Sequence, residues 1–516
     1  MPDPALALER AQGERIRLMA LIAARQVRHL QKVHAPAAAY KALRVVYRNG
    51  QASIVLLPRR APYTLSQLRV AFPAALTTDG KGVWVLHEHI VVGPGARLII
   101  ASPEVRELRL LSTAAGFVTI AGWKATIAVH GTAGSTVRVT SWDPATAGPD
   151  TDRTDGRGYI IAKAGQMDVA DAQFTDLGFA TGESSGVAWR GWPGIPSRGS
   201  ATRTQFLRNL FGAYTFEAVD MIWKDNTFAA NIGYGFDPHD HSDRFTVTGN
   251  LAIRNGGHGM VFSRGCSGSV VRDNVSALNA GNGFVLDDGR VATDGDPRHA
   301  RPDPSNDNLL EGNVAWGNDA GIALEGASRN VVRGNLVAGN RVGLRLKDLS
   351  SGNILAGNSI VASSIFGILV SAGSMDNAVS DNRVFGGKAG IVVNSSTGNR
   401  VDHNAIDWIT GRGIVLMGAV GTTSITANTI SGRGTAAIDL QGARDLARGD
   451  VYGNATWDWV GPRQFREIYT AGNFLRHHPA IAIWLAIFLV PLAWWLPARR
   501  RRLLTWRRSS AATGAP

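Results

Sequence analysis

The sequence predicts an all-β chain wound as a right-handed parallel β-helix, and three observations predict it. One asparagine recurs at a near-constant interval, a glycine trails it by eight or nine residues, and each glycine opens a short apolar run. The asparagines are Asn226, Asn250, Asn274, Asn313, Asn335, Asn358, Asn382, Asn404 and Asn428, at intervals of 24, 24, 39, 22, 23, 24, 22 and 24. The glycines are Gly235, Gly259, Gly283, Gly321, Gly343, Gly367, Gly390 and Gly413, followed by runs such as GMVF, GFVL, GIAL and GIVV. Such runs are too short and too glycine-punctuated for helices. A coil of 22–24 residues lays each strand on the strand before it and stacks the asparagines into a hydrogen-bonding ladder.

Along the chain, residues 1–81 read as a basic N-terminal region and cap, with an amphipathic basic helix over 4–35. Its longest apolar run, Leu18 to Ala24, lies between Arg17 and Arg25, at the short limit of a signal h-region and with no small-residue cleavage site evident. Strand-like runs from about residue 82 open the solenoid, assigned to 82–434. The 39-residue interval holds a Pro/Asp-rich insertion, 288–306, that reads as a loop. Residues 435–478, with Trp457 and Trp459, form a C-terminal cap, because a solenoid needs its end coils covered. The uncharged stretch 479–497 spans about 28 Å as a helix, enough to cross a bilayer. The arginines from Arg499 to Arg502, with Arg507 and Arg508, form a basic tail, 498–516, that places the C-terminus in the cytoplasm and the catalytic body outside it. The expected product is a single-pass membrane protein, with a polysaccharide synthesis or export complex as a possible partner.

Charge follows the same division. The net +13 belongs to the ends, +9 in residues 1–70 and +7 in 476–516, which leaves the body near −3. A polyanion-binding surface spread over the body, as for nucleic acid, is thereby excluded. With 516 residues and one cysteine the chain is no disulfide-stapled mini-protein, and Cys266 reads as a small buried filler. No phosphate-binding glycine loop or nucleophile elbow is present.

If the glycines align, so do the residues four positions after them: Arg190, Phe216, His239, Ser263, Asp287, Glu325, Lys347, Ser371 and Asn394. The next position adds Asp240, Arg264, Asp288 and Asp348. Coils about 4.8 Å apart turn this into a line of ionic side chains. Mixed signs suit an elongated site for a polymer with one ionic group per unit, with Arg190, Ser263, Asp287, Asp288, Glu325 and Lys347 as substrate-binding candidates. The densest segment is Tyr234-Gly-Phe-Asp-Pro-His-Asp240, where His239 stands between Asp237 and Asp240 with Arg264 one coil on. A base among carboxylates with an arginine nearby reads as a proton-abstraction site.

At these residues the chain resembles the mannuronan C5-epimerases, parallel β-helix enzymes of alginate biosynthesis. YGFDPHD at 234–240 carries the resemblance, with GAYTFEA and DNTF before it, HGMVFSR at 258–264 and NGFVLD at 282–287. The resemblance implies that His239 removes the C5 proton of a mannuronate unit and that Arg264 neutralises that unit's carboxylate. It implies that Tyr234 or a water returns a proton from the other face to give guluronate, while Asp237 and Asp240 orient His239 or bind sugar hydroxyls. A lyase would abstract the same proton and expel the 4-linked sugar, and a non-catalytic polysaccharide-binding or export protein could keep the same groove. The residues themselves offer no convincing metal site and no cofactor site: Asp287, Asp288, Asp294 and Asp296 could gather around Ca²⁺, but without an EF-hand pattern they read as a solvated acidic loop. The C-terminal apolar stretch and the insertion stand outside the resemblance.

Overall fold

A computed structural model describes residues 3–465 except 48–49, 181, 291–300 and 447–449. The transmembrane segment expected at 479–497, the tail at 498–516 and the end of the cap lie outside the described residues, as do Asp294 and Asp296. Among the described residues no helix is long and apolar enough to cross a membrane.

The chain coils as expected into three long sheets, with each coil giving one strand to each. One coil shows why: Phe236–His239, Thr246–Thr248 and Leu251–Ile253 are three- or four-residue strands, and each pairs in parallel with its equivalent a coil later. Alternation sends Phe236, Val247 and Ala252 into the coil interior, where they are fully buried. Phe174, Phe206 and Phe228 stack one above another, with centroids 5.5 and 5.1 Å apart. The core is therefore a column along the axis.

Bends between strands leave backbone N–H groups facing inward, where unsatisfied donors are costly. Asparagine answers this. Asn274 Oδ1 accepts from both N and Nδ2 of Asn250 at 2.9 Å, while its own Nδ2 donates to the carbonyl of Val247 at 2.9 Å. The ladder read from the sequence is one of three among the described residues. A second joins Asn231, Asn255, Asn279, Asn318 and Asn340, and a third joins Asn308, Asn330, Asn353, Asn377 and Asn399. The glycine column has an equally local cause: a Cβ on Gly259 would lie 2.6 Å from the carbonyl oxygen of Gly283 on the next coil.

The solenoid is longer than 82–434. Parallel stacking begins with Ala52–Leu56, whose Ile54 pairs with Ile90. It runs on through Ala436–Arg444 and Trp459–Val460. Trp459 is buried as a cap residue should be, whereas Trp457 is exposed.

Helix α1 (Pro4–Lys32), capped by Asp3, and the short α2 (Leu65–Ala71) flank the first coils. Helix α1 lies on the outer face of one sheet. Met19, Ala23 and Leu30 pack with Val55, Leu57 and Val91, while buried Arg15 donates to Gln12, Ser53 and Thr119. Seven strands of that sheet concern the site: β1 (Val187–Arg190), β2 (Ala213–Phe216), β3 (Phe236–His239), β4 (Met260–Ser263), β5 (Phe284–Asp287), β6 (Ala320–Glu325) and β7 (Val342–Lys347). Asp287 ends β5 and the insertion leaves at Asp288, with Asp303 N–H returning to the Asp288 carbonyl at 2.9 Å.

Candidate active site

Strand register turns the glycine-plus-four positions into one line. Arg190 pairs with Phe216, Phe216 with His239, His239 with Ser263, Ser263 with Asp287, Asp287 with Glu325 and Glu325 with Lys347. Alternation points them outward beside a second column two residues earlier, which includes Tyr214, Asp237, Val261 and Val285. A cavity of about 240 Å³ lies over these columns. Tyr234, Asp237, His239, Ser263, Asp287, Asp288, Glu325 and Lys347 of the expected residues line it, joined by Val261, Gly289, Arg290 and Asp348.

Three expected residues stand elsewhere. Asp240 lies behind His239 and bonds the ring Nδ1 through Oδ2. Arg264 is buried behind Asp240, with Nε 2.9 Å from Asp240 Oδ1 and Nη1 donating to the Arg301 carbonyl at 2.8 Å. In this ligand-free arrangement the Arg264 guanidinium meets Asp240 and main chain, one layer behind the residues that line the cavity. Both residues stand one place beyond their strands with left-handed φ, 40° at Asp240 and 59° at Arg264. Arg190 is also taken up elsewhere, its guanidinium 4.0 Å over the Phe216 ring and its Nε 3.3 Å from Glu183.

The cavity cations are Arg290, with Nε 2.5 Å from Asp288, and Lys347, with Nζ 3.1 Å from both Glu325 and Asp348. Arg345, outward on β7, adds a bond to Glu325 at 2.7 Å. Ser263 Oγ donates to Asp287 Oδ1 at 2.7 Å and Gly289 N–H donates to the same atom at 2.9 Å. Asp237 differs. It is 2% exposed, and its Oδ1 has no hydrogen-bond partner among the described residues.

Burial pushes the Asp237 carboxyl up to about 7, reinforced by Asp287 and Asp240 and opposed by His239. Burial likewise raises Asp287 against the bonds from Ser263 and Gly289. For His239 burial works against the cation, but the bond to Asp240 and the charges of Asp237, Asp240 and Asp287 outweigh it, and the imidazole is raised above its ordinary range. Burial holds the Tyr234 hydroxyl protonated, pushed up to about 12. The Tyr234 ring stacks between Phe211 at 5.2 Å and His258 at 5.0 Å. His258 Nδ1 accepts from Asn282 N–H at 2.8 Å, so its proton sits on Nε2.

Sequence reasoning missed Arg290, which lies in the insertion and outside any repeat. It also gave no role to His258, although that residue precedes Gly259 as Tyr234 precedes Gly235. Among the described residues no group of three His, Cys, Asp or Glu side chains is placed to hold a metal ion.

The fold and groove define a class: a parallel β-helix with an acid–base site on one sheet. The chain is, further, similar to the mannuronan C5-epimerases. It is 29% identical over 228 residues to the enzyme of Pseudomonas aeruginosa, which covers 42% of this chain and 40% of that protein. It is 29% identical over 218 residues to that of Pseudomonas putida, covering 40% of each, and 29% identical over 225 residues to AlgG of Azotobacter vinelandii, covering 41% of each. The chain thus matches about two fifths of the length of these curated relatives. The crystal structure of the periplasmic alginate epimerase AlgG superposes with a TM-score of 0.56 at 18% identity, over 81% of this chain and 86% of that one, a likeness of fold. Residues 292–474 match the family described as periplasmic copper-binding protein (NosD). The described part of that stretch holds one histidine, His403, bound to Asp402 at 2.8 Å, and no cysteine. These residues do not fit a copper centre.

Proposed function

We propose that this chain is a C5-epimerase of an anionic uronic-acid polysaccharide, converting mannuronate to guluronate units within the polymer. The observation that carries the reading is the string Arg264, Asp240, His239 ending at a cavity that Tyr234 also lines. Similarity to mannuronan C5-epimerases supports it.

The chemistry requires a base for a proton alpha to a carboxylate, compensation of the charge that abstraction creates, and an acid to reprotonate the carbon. His239 supplies the base through Nε2, the nitrogen that Asp240 leaves free. Asp240 fixes the ring and stabilises the imidazolium, and Arg264 holds Asp240 charged and still, as a positioning residue. Tyr234, protonated at every working pH, is the acid.

Compensation falls to the cavity wall. Its five carboxylates would repel a polyanion if all were bare, but Asp288 is paired with Arg290, and Glu325 and Asp348 share Lys347. Asp237 titrates near neutrality, so its carboxyl adds less negative charge to the wall than a bare carboxylate would. Arg290 and Lys347 add positive charge along the polymer, and Ser263 and Asp287 serve sugar hydroxyls.

An extracytoplasmic site accords with the likeness in fold to the periplasmic epimerase AlgG, and the apolar stretch 479–497 would tether the chain to a membrane. Incubation of purified protein with polymannuronate tests the reading. Guluronate signals by NMR without chain shortening, lost in His239→Asn while polymer binding persists, are the expected result. Unsaturated ends absorbing in the ultraviolet would show a lyase instead, and unchanged polymer composition would refute catalysis.

A further inference from the structure

We infer that His258 is a positioning residue for Tyr234: it braces the tyrosine ring from the next coil, so that the hydroxyl meets the sugar in one orientation. The inference rests on the epimerase reading and adds to that site a residue that does not itself line the cavity.

Tyr234 stands two residues ahead of β3, off the line of strand side chains. It belongs to a separate column. Phe211, Tyr234, His258 and Asn282 each directly precede a glycine, one coil apart. The three rings stack: Phe211 and Tyr234 have centroids 5.2 Å apart and planes at 6°, and Tyr234 and His258 lie at 5.0 Å and 25°. A second set of glycines makes room for them. Gly257 faces the Tyr234 ring, where a Cβ would lie 2.6 Å from Cδ1, and Gly233 and Gly281 face Phe211 and His258 in the same way. The backbone of this second set is itself laddered, with Gly257 N–H donating to the Gly233 carbonyl at 2.9 Å and Gly281 N–H to the Gly257 carbonyl at 2.8 Å.

The last ring of the stack is pinned. Asn282 N–H donates to His258 Nδ1 at 2.8 Å, and Asn282 is held in turn: its Oδ1 accepts from Ala320 N–H at 3.0 Å and from Arg345 Nη2 at 3.1 Å, and its carbonyl accepts from Gly259 N–H at 2.9 Å. Arg345 is anchored on Asp319 at 3.1 Å and on Glu325 at 2.7 Å. Burial holds the His258 imidazole below its ordinary range, with Arg345 and Lys347 acting in the same direction and Glu325 and Asp319 opposing them. The ring therefore stays neutral near pH 7, and Nδ1 keeps its lone pair for Asn282. A phenol that must deliver a proton to one face of a carbon depends on such a brace, because a misplacement of about 1 Å can lower a rate about 10²-fold.

The test measures kcat and KM on polymannuronate for the full chain and its variants. His258→Ala should lower kcat by about 10- to 100-fold and leave KM within about twofold. His258→Phe keeps a ring against Tyr234 and should return kcat to within about fivefold of wild type, whereas His258→Asn keeps an acceptor for the Asn282 N–H but no ring and should stay slow. The asparagine variant replaces the alanine variant throughout should the latter not fold. Because His258 acts through the Tyr234 hydroxyl, its loss should slow a Tyr234→Phe background by no more than about twofold, while a general disturbance of the fold would slow both backgrounds alike. Equal losses in the two backgrounds, or a phenylalanine variant as slow as the asparagine one, overturn the role of His258 and leave the epimerase reading intact. No guluronate from the wild-type chain overturns both.

Discussion

Replacing Glu9 with Gln should stabilise the protein, and only above mildly acidic pH. Glu9 sits under α1, where it accepts from the Ser184 N–H and hydroxyl, and burial pushes its carboxyl up to about 7, with Glu183 adding to the rise and the Ser184 bonds and Arg190 opposing it. The unfolded chain ionises this group near 4.5, the ordinary value for a glutamate. Because the folded value is raised, the favourable contribution is whole below pH 4.5 and is lost as pH climbs to 7. The difference between 4.5 and about 7, at 1.36 kcal/mol for each step of one, is about 3 kcal/mol at pH 8. Gln keeps the acceptor oxygen and cannot ionise, so the variant retains what the wild type loses. At roughly 2 cal/mol/K per residue for a chain of this length, the gain corresponds to a rise in Tm of about 3 °C. Calorimetry of both proteins at pH 4 and pH 8, with limited proteolysis to follow release of α1, reads the effect. Equal stability differences at the two pH values, or a variant less stable at pH 8, would refute the assignment of Glu9 as a buried acid strained by ionisation.

Asp240→Asn should lower kcat and move the acidic limb of the kcat/KM profile to lower pH, because His239 then loses the carboxylates' largest support for its cation; a limb that stays put would place the base elsewhere. Arg264→Ala should lower kcat with little effect on KM, whereas loss of an arginine gripping the sugar carboxylate would raise KM as well. Tyr234→Phe should cut kcat by about 10²- to 10⁴-fold with KM nearly unchanged, as expected for loss of a general acid, and solvent deuterium incorporation at C5 would report whether abstraction survives. Asn274→Ala leaves the Asn250 N–H and the Val247 carbonyl without their partners and should cost about 2 to 4 kcal/mol in chemical denaturation, far more than Asn394→Ala on the groove face.

Much of the groove was legible in the sequence because the solenoid converts spacing into position. His239, Ser263, Asp287, Glu325 and Lys347 fall in line because each follows its glycine by the same four residues and parallel strands keep register. One residue further, spacing no longer decides: Asp288 and Asp348 line the cavity, whereas Asp240 and Arg264 meet each other behind the wall. Arg290 was invisible for the opposite reason, being part of an insertion with no periodicity to place it.

The sequence by itself determined the architecture, since a 22–24-residue period with recurring asparagine and glycine satisfies buried bend donors and close backbone approach in only one kind of stack. It also determined which side chains share the outer face, through strand alternation. Only the tertiary structure decided where helix α1 packs. An amphipathic helix is readable from its own periodicity, but the coil it covers depends on shape and on partners distant in sequence, such as Ser184 for Glu9 and Thr119 for Arg15. The same holds for charge: a line of ionic residues is read from spacing, whereas which of them is neutralised, as Arg190 is by Glu183, is fixed by packing alone.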